Sequence, residues 1–246
     1  MPDISFSEMV QSSDNIVFFG GAGVSTESGI PDFRGSGGFY NDSTTKIPPE
    51  VILSHDYLYT HPGEFYSYYR ANMLYPDAKP NSCHITLARL EKMDKLKAVI
   101  TQNIDGLHQL AGSRNVIELH GSSLRNYCVK CGKRYNLDYI LSCDAVPKCE
   151  DCGGFVRPDV VMYGEGLDGG AIESAVRAVS ESDMLIVGGT SLTVYPAAGL
   201  VNYYHGKKLV IINRDPTPFD SYAQMVIRRP IAEVFADIRC ENSCKI

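Results

Sequence analysis

Apolar and polar positions along the chain fall into a repeating rhythm. Unbroken apolar runs rich in β-branched residues occur at 16–19, 97–101, 183–189 and 207–213, and each leads into a polar or glycine-rich turn. A strand with one wet face would alternate. Continuous runs are expected of strands covered on both faces of a parallel sheet. Between the runs, helical spacing appears at 82–93, 170–180, 196–204 and 230–238. Strand, turn and helix in alternation predict an α/β fold with a doubly wound parallel sheet, whose ligands bind outside the carboxyl ends of the strands. Two stretches break the rhythm. Residues 31–80 are rich in Gly, Ser, Thr, Pro and Tyr with one helical stretch at 63–73, and read as a mobile cover and small helical module over the sheet edge. Residues 122–156 hold turns, tyrosines and cysteines but no long helix, and read as a second inserted module. One domain over 1–246 is expected, with the remainder as its core.

The second insert carries the sharpest spacing in the chain. Cys128, Cys131, Cys149 and Cys152 form C-x2-C-x17-C-x2-C, with glycine just after each second cysteine. Two such knuckles can converge on one tetrahedral ion, and four soft thiolates suit Zn²⁺. A closed four-sulfur site leaves no position for a substrate water, so the zinc is expected to be structural. Two disulfides are the rival reading. A redox pair fits less well, because neither Cys-x-x-Cys opens a helix after a strand. Cys143, inside the insert, is a fifth candidate ligand without a Cys-x-x-Cys partner.

Composition narrows the class. A formal charge of −6 and a pI near 5.5 argue against a general phosphate-backbone binder, so no direct nucleic-acid partner is expected. The N-terminus shows no basic region followed by an apolar run, and no run of about 18 apolar residues appears, so no signal peptide or membrane span is read. Cys83, Cys143, Cys240 and Cys244 read as free thiols of a reducing compartment, which points to the cytoplasm. Oligomeric state is not legible.

Candidate chemistry gathers at the predicted strand ends. Gly21-Ala-Gly-Val-Ser25 follows the first strand, where backbone amides can approach a pyrophosphate. The dinucleotide fingerprint wants a third glycine where Thr26 stands, and a plain tight turn explains this piece alone equally well. Gly29-Ile-Pro-Asp-Phe-Arg-Gly35 has the make-up of a flap, with Arg34 for a phosphate and Phe33 to stack on a ring or shield a reactive carbon; an ordinary loop is the bland alternative. Thr101-Gln-Asn-Ile-Asp-Gly-Leu-His108 crowds Gln102, Asn103 and Asp105 at the end of the second strand, although Asn and Asp also serve turns and caps. His120, after the apolar stretch 116–119 and before Gly121, is placed as a general base. His55, His61, His84 and His205 read as structural, and His108 as a helix-face residue near the site. Gly189-Thr-Ser191 and Asn213 suit ribose and phosphate hydroxyls.

These motifs, with Tyr163-Gly-Glu165 and the four cysteines, stand in sirtuin order, and the chain resembles a bacterial sirtuin over nearly its whole length. The resemblance implies a Rossmann-like domain, an inserted small zinc-ribbon and helical domain, and a cleft where NAD and an acyl-lysine peptide meet. It implies NAD-dependent removal of acetyl or other acyl groups from protein lysines, with release of nicotinamide and O-acyl-ADP-ribose. By the same resemblance Ala22, Gly23, Thr26, Arg34, Gln102, Gly189, Thr190, Ser191 and Asn213 hold phosphates and riboses, and Ile231 meets the adenine. Phe33, Ile104 and Asp105 line the nicotinamide pocket, with Ser25 and Asn103 beside it, Asn103 being counted with His120 as catalytic, and Asp32 is counted among the cofactor contacts. Val160, Val161 and Tyr163 belong to a segment that pairs with the substrate peptide. Gly20 stands where many of the family have threonine, and Tyr163 where they have phenylalanine.

Members that prefer succinyl or malonyl groups carry Tyr-x-x-Arg on a helix of the small domain. Here Tyr66 is followed by Tyr69 in the third place and Arg70 one further on. A helix step of about 100° turns Arg70 away, which favours acetyl over succinyl. Three other classes compete. A dinucleotide oxidoreductase wants an acid about 20 residues past the glycine turn at a strand end. Asp42 has the distance but sits in a Ser/Thr loop. A non-catalytic NAD sensor predicts no base at position 120. Mono-ADP-ribosyl transfer shares the same site.

Overall fold

The computed structural model describes residues 4–33 and 47–238; Arg34, Asp42, Cys240 and Cys244 lie outside the described residues. The strands are β1 (Ile16–Gly20), β2 (Leu96–Thr101), β3 (Val116–Glu118), β4 (Gly121–Cys128), β5 (Arg134–Asn136), β6 (Val156–Val160), β7 (Met184–Gly188), β8 (Lys208–Ile212) and β9 (Met225–Ile227). The helices are α1 (Phe6–Gln11), α2 (Pro49–Ile52), α3 (His55–Thr60), α4 (Pro62–Asn72), α5 (Ser82–Lys92), α6 (Leu107–Leu110), α7 (Leu137–Ser142), α8 (Gly169–Glu181) and α9 (Ile231–Ala236).

Six strands form one parallel sheet in the order β3-β2-β1-β7-β8-β9. The four apolar runs are its four central strands. Apart from the half-buried Lys97 and Lys208 they are buried, because successive side chains leave opposite faces and both faces are covered. Ile16 and Phe18 pack with α1, α5 and α9, whereas Val17 and Phe19 pack with α8 and the stretch Ala197–Tyr203. That last stretch winds as a 3-10 helix rather than the α-helix its spacing suggests. Gly199 and the β-branched Val201 are weak α-helix formers there. Helix starts follow local chemistry. Asn81 accepts from Cys83 N–H at 2.9 Å ahead of α5, and Asp168 accepts from Ala171 N–H at 2.8 Å ahead of α8.

Strand order reverses between β1 and β7, so the sheet's crevice opens where their carboxyl ends meet. The two turns leaving these strands interlock by backbone. Gly21 and Gly23 N–H donate to Gly188 and Gly189 carbonyls at 3.1 and 2.8 Å. A Cβ on Gly23 would lie 2.7 Å from Gly189 Cα, and Gly189 itself has φ +57°, so side chains are excluded on both sides.

The two inserts pack together as one small lobe. β4, β5 and β6 form an antiparallel sheet that runs to both sides of the predicted 122–156 bounds. Leu58, Phe65, Tyr66 and Tyr69 of α3 and α4 share a single core with Tyr135, Ile140, Val156 and Met162. The helical module therefore rests on the zinc module, because neither buries its apolar face alone.

The four cysteine sulfurs lie within 4.8 Å of one another. Cys128 and Cys152 Sγ are 3.5 Å apart, as are Cys131 and Cys149 Sγ. Sulfurs about 2.3 Å from a tetrahedral ion are about 3.8 Å apart, so the cluster fits zinc; the cysteines are free thiols, not disulfides. Tyr135 O–H donates to Cys149 Sγ at 3.2 Å and Lys130 N–H to Cys128 Sγ at 3.4 Å, which orients two of the ligands. Cys143 stands apart, its thiol donating to the Tyr139 carbonyl at 3.1 Å, and is no fifth ligand. One zinc per chain is expected. Cys128→Ser or a strong chelator should remove it and unfold the small lobe, since structural zinc contributes about 10–16 kcal/mol in small zinc peptides. Metal analysis with thermal melting checks this; a zinc-free, fully stable reduced protein would contradict it.

Candidate active site

A continuous cavity of about 920 Å³ lies between the small lobe and the carboxyl ends of the parallel strands. Its floor is the interlocked pair of turns. Ala22, Gly23, Thr190 and Ser191 line it, and among the described residues no acceptor is found for the Ala22, Thr190 and Ser191 amides. Gln102 Nε2–H donates to Thr190 Oγ1 at 3.0 Å, and Gln102 N–H donates to the Gly20 carbonyl at 3.0 Å. The turn after β2 is thereby tied to both other turns.

Deeper in, three side chains form one network. Ser25 Oγ–H donates to Asp105 Oδ2 at 2.7 Å, and Asn103 Nδ2–H donates to Ser25 Oγ at 3.1 Å. Asp105 Oδ1 also accepts from Leu107 N–H at 2.9 Å, opening the single turn of α6. Burial pushes the Asp105 carboxyl up, against the pull of the Leu107 and Ser25 donors. Ile104, Asp32 and Phe33 complete this end of the cavity wall.

His120 sits between β3, the edge of the large sheet, and β4, the first strand of the small one. Its Nδ1 lies 2.8 Å from the Gln102 carbonyl. A carbonyl can only accept, so Nδ1 carries the proton and Nε2 carries the lone pair. The bond to Gln102 is the one side-chain hydrogen bond of His120 found among the described residues, and His120 lines the cavity. Burial lowers the His120 pKa, opposed by the bond to Gln102, so the ring is neutral at pH 7.

Val160, Val161 and Tyr163 form the opposite wall. Val161 N–H donates to the His120 carbonyl at 3.0 Å, and Tyr163 bridges to the segment before α3 through Leu53 and His55. Asn213 also lines the cavity, its amide donating to the Asp215 carbonyl at 2.9 Å. Two expected residues stand behind the wall. Thr26 donates to the Gly23 carbonyl at 3.1 Å, and Ile231 is buried under Gly188 at the start of α9. His108 is not near the site in the sense expected. It turns inward from α6 against His84, ring centroids 4.7 Å apart, because the cleft-facing positions of that turn are Leu107, Gln109 and Leu110.

Several wall residues escaped the sequence reading. Val194, Tyr195 and Asp215 lie on turns without a readable spacing. Asn72 and Met73 also escaped it; they line the cavity beside Tyr69, the position the sequence ties to acyl choice, three and four residues on as helix geometry dictates. Tyr66 is buried beneath them, its hydroxyl donating to the Val156 carbonyl at 2.6 Å. Arg70 faces the zinc module, donating to the Ile140 carbonyl at 3.1 Å and to that of Ala145.

Comparison with known proteins agrees with this architecture. The Sir2 family model matches residues 21–196. The NAD-dependent protein deacetylase of Clostridium perfringens is 56% identical, covering 94% of this chain and 96% of its own. That of Clostridium tetani is 57% identical, covering 95% and 96%. A solved Sir2 structure with a deacetylated p53 peptide and 3′-O-acetyl ADP-ribose superposes with a TM-score of 0.84 at 41% identity, covering 94% of each chain. Another, of Sir2 with a p53 peptide and NAD⁺, gives 0.81 at 41% identity over the same shares. With the family match running through both lobes and the cleft between them, and relatives more than half identical along nearly the whole length, the chain belongs to the Sir2 family.

Proposed function

We propose that this protein is an NAD-dependent protein lysine deacetylase, which transfers the acetyl group to ADP-ribose and releases nicotinamide. Relatives at 54–57% identity bear that name. The observation that carries the reading is the double attachment of His120. Its ring is fixed on the Gln102 carbonyl at the cofactor side, and its own carbonyl holds Val161 at the substrate side.

The residues fit a dinucleotide. Three amides without acceptors among the described residues, and glycines at 21, 23 and 189 where a Cβ would clash, suit phosphates, as at other strand-to-helix turns. Ala22, Gly23, Gln102, Gly189, Thr190, Ser191 and Asn213 are assigned to phosphates and riboses, with Arg34. Thr26 and Ile231 act from behind, by holding the turn and packing under Gly188. Asp32, Phe33, Ile104 and Asp105 are assigned to the nicotinamide end, with Ser25 donating to the Asp105 carboxyl and Asn103 holding Ser25. NAD supplies an electrophilic ribose carbon with nicotinamide as its leaving group. His120 Nε2 takes the proton of a ribose hydroxyl, which makes that oxygen nucleophilic toward the acyl carbon. Val160, Val161 and Tyr163 face the peptide, where main-chain pairing tolerates many sequences. No helix among the described residues is long and apolar enough to cross a membrane. Four zinc-binding thiols need a reducing compartment, which supports the cytoplasm.

The acyl pocket favours acetyl. Position 69 faces the cavity and holds tyrosine, whereas Arg70 is turned onto α7. Burying a succinyl carboxylate without a paired cation costs on the order of several kcal/mol.

Incubation with NAD, with and without an acetyl-lysine peptide, tests the reading. Nicotinamide release should require the peptide; release without it would indicate ADP-ribosyl transfer or hydrolysis instead. His120→Ala should slow deacetylation by about two orders of magnitude or more while ADP-ribose still binds. Because the base must be neutral and its pKa is depressed, kcat/KM should rise with pH to a midpoint below about 6.5 and be flat above it. A midpoint above neutrality would move the base elsewhere. Acetyl-lysine should be hydrolysed faster than succinyl-lysine on the same peptide, and Tyr69→Arg should narrow or reverse that ratio. An unmodified enzyme that prefers succinyl-lysine would refute the pocket assignment.

A further inference from the structure

The wall facing the peptide is thin. Val160, Val161, Gly164, Glu165 and Gly166 line the main cavity on one side and a second, polar groove of about 740 Å³ on the other. Val160 and Met162 reach the small-lobe core, and Leu167 packs on the large lobe. Between Tyr163 and Leu167 stand Gly164, Glu165 and Gly166. Two glycines offer nothing to pack, and Gly164 has φ +90°. Glu165 is therefore the one side chain that can anchor this bend.

Its anchor is Arg157 on β6. The guanidinium donates to both carboxylate oxygens, Nη1 to Oε1 at 2.6 Å and Nη2 to Oε2 at 2.9 Å. The same group donates to the Val160 carbonyl at 3.0 Å and the Pro158 carbonyl at 3.3 Å. Glu165 Oε2 also accepts from Met162 N–H at 2.9 Å, and Glu165 N–H donates to the Met162 carbonyl at 3.0 Å. One fork thus ties the bend, through Glu165, to the backbone that precedes it. Arg157 is 8% exposed at its side chain and lines only the polar groove. Burial pushes the Glu165 carboxyl up, but the Arg157 and Met162 donors outweigh it and hold the carboxylate ionised.

What the fork leaves over is an edge. Val161 N–H, Met162 N–H and C=O, and Tyr163 N–H and C=O all have partners. The Val161 carbonyl and the backbone groups of Gly164, Gly166 and Leu167 have none among the described residues. These are the groups an extended peptide could pair with. We propose that Arg157 is a positioning residue that, through Glu165, holds the Gly164–Gly166 bend as the docking edge for the acyl-lysine peptide. This rests on the assignment of 160–163 to the substrate wall. Lysine cannot replace the fork, because a single ammonium cannot serve two carboxylate oxygens and two carbonyls in one plane.

Deacetylation kinetics on the full-length, zinc-loaded enzyme test it. Arg157→Met should raise the acetyl-peptide KM by about tenfold or more, the scale of losing hydrogen bonds to a charged group, with Arg157→Lys in between. The value of kcat at saturating peptide should stay within about twofold, and ADP-ribose affinity should not change. Arg157→Met alone leaves Glu165 half-buried and unpaired, which lowers stability by itself. The double variant Arg157→Met with Glu165→Leu removes both charges. Its melting temperature should recover while its KM stays high. A KM that recovers together with melting, or a wild-type KM in Arg157→Met, overturns the proposal. Hydrogen exchange over 160–167 in the unmodified enzyme separates the two levels of the argument. If acetyl-peptide does not slow exchange there, the substrate-wall assignment fails and the proposal with it. If exchange slows but Arg157→Met keeps the wild-type KM, only the role of Arg157 is wrong.

Discussion

The backbone contact between two glycine turns sets the geometry of everything else in the large lobe. Gly21 and Gly23 after β1 meet the carbonyls of Gly188, which ends β7, and Gly189, and a Cβ on Gly21, Gly23 or Gly189 would clash across the contact. These are the strands at which the sheet order reverses, so the contact closes the floor of the crevice. A parallel sheet places all its carboxyl ends together, and the polar residues of Gln102, Thr190 and Asn213 are gathered there for that reason. The two turns could not approach this closely if Gly21, Gly23 or Gly189 carried a side chain.

The second lobe depends on a different device. α2 to α4 and the zinc-ribbon strands come from inserts far apart in sequence, yet they fill one core. Zinc fixes the ribbon, and the ribbon gives Phe65, Tyr66 and Tyr69 something to pack on. Gly121, at the junction of the lobes, has φ +73°, and a Cβ there would sit 2.0 Å from the Asp159 carbonyl oxygen. The chain can make this crossing only with glycine, and the residue immediately before it is His120. His120 is thus held at the seam, where the large lobe supplies the Gln102 carbonyl and the small lobe supplies Val161.

Buried charge is handled by pairing or by neutrality. Arg157 and Glu165 are paired with good geometry. His84 and His108 are buried against each other with lowered pKa values, burial being the first cause for both. Among the described residues three of their ring nitrogens lack partners, so neutrality is the state the core tolerates. Asp105 is the intermediate case, a carboxyl raised by burial but met by two donors.

Local chemistry made much of this legible in the chain itself. Continuous apolar runs identify strands covered on both faces, because periodicity is a one-dimensional signal. The cysteine spacing identifies the metal, because knuckle geometry is set within four residues. The motif order carries the family, and the step of one residue between Tyr69 and Arg70 already orients α4, because helix geometry is fixed. Other features are decided only in three dimensions. Thr26 and Ile231 support the cavity without lining it, and His108 turns inward, because facing depends on what a segment packs against. The pairing of Arg157 with Glu165, the union of the two inserts in one core, and the entry of Val194 and Tyr195 into the wall have no sequence period. They arise where segments distant along the chain are brought together, and no local pattern records which will meet.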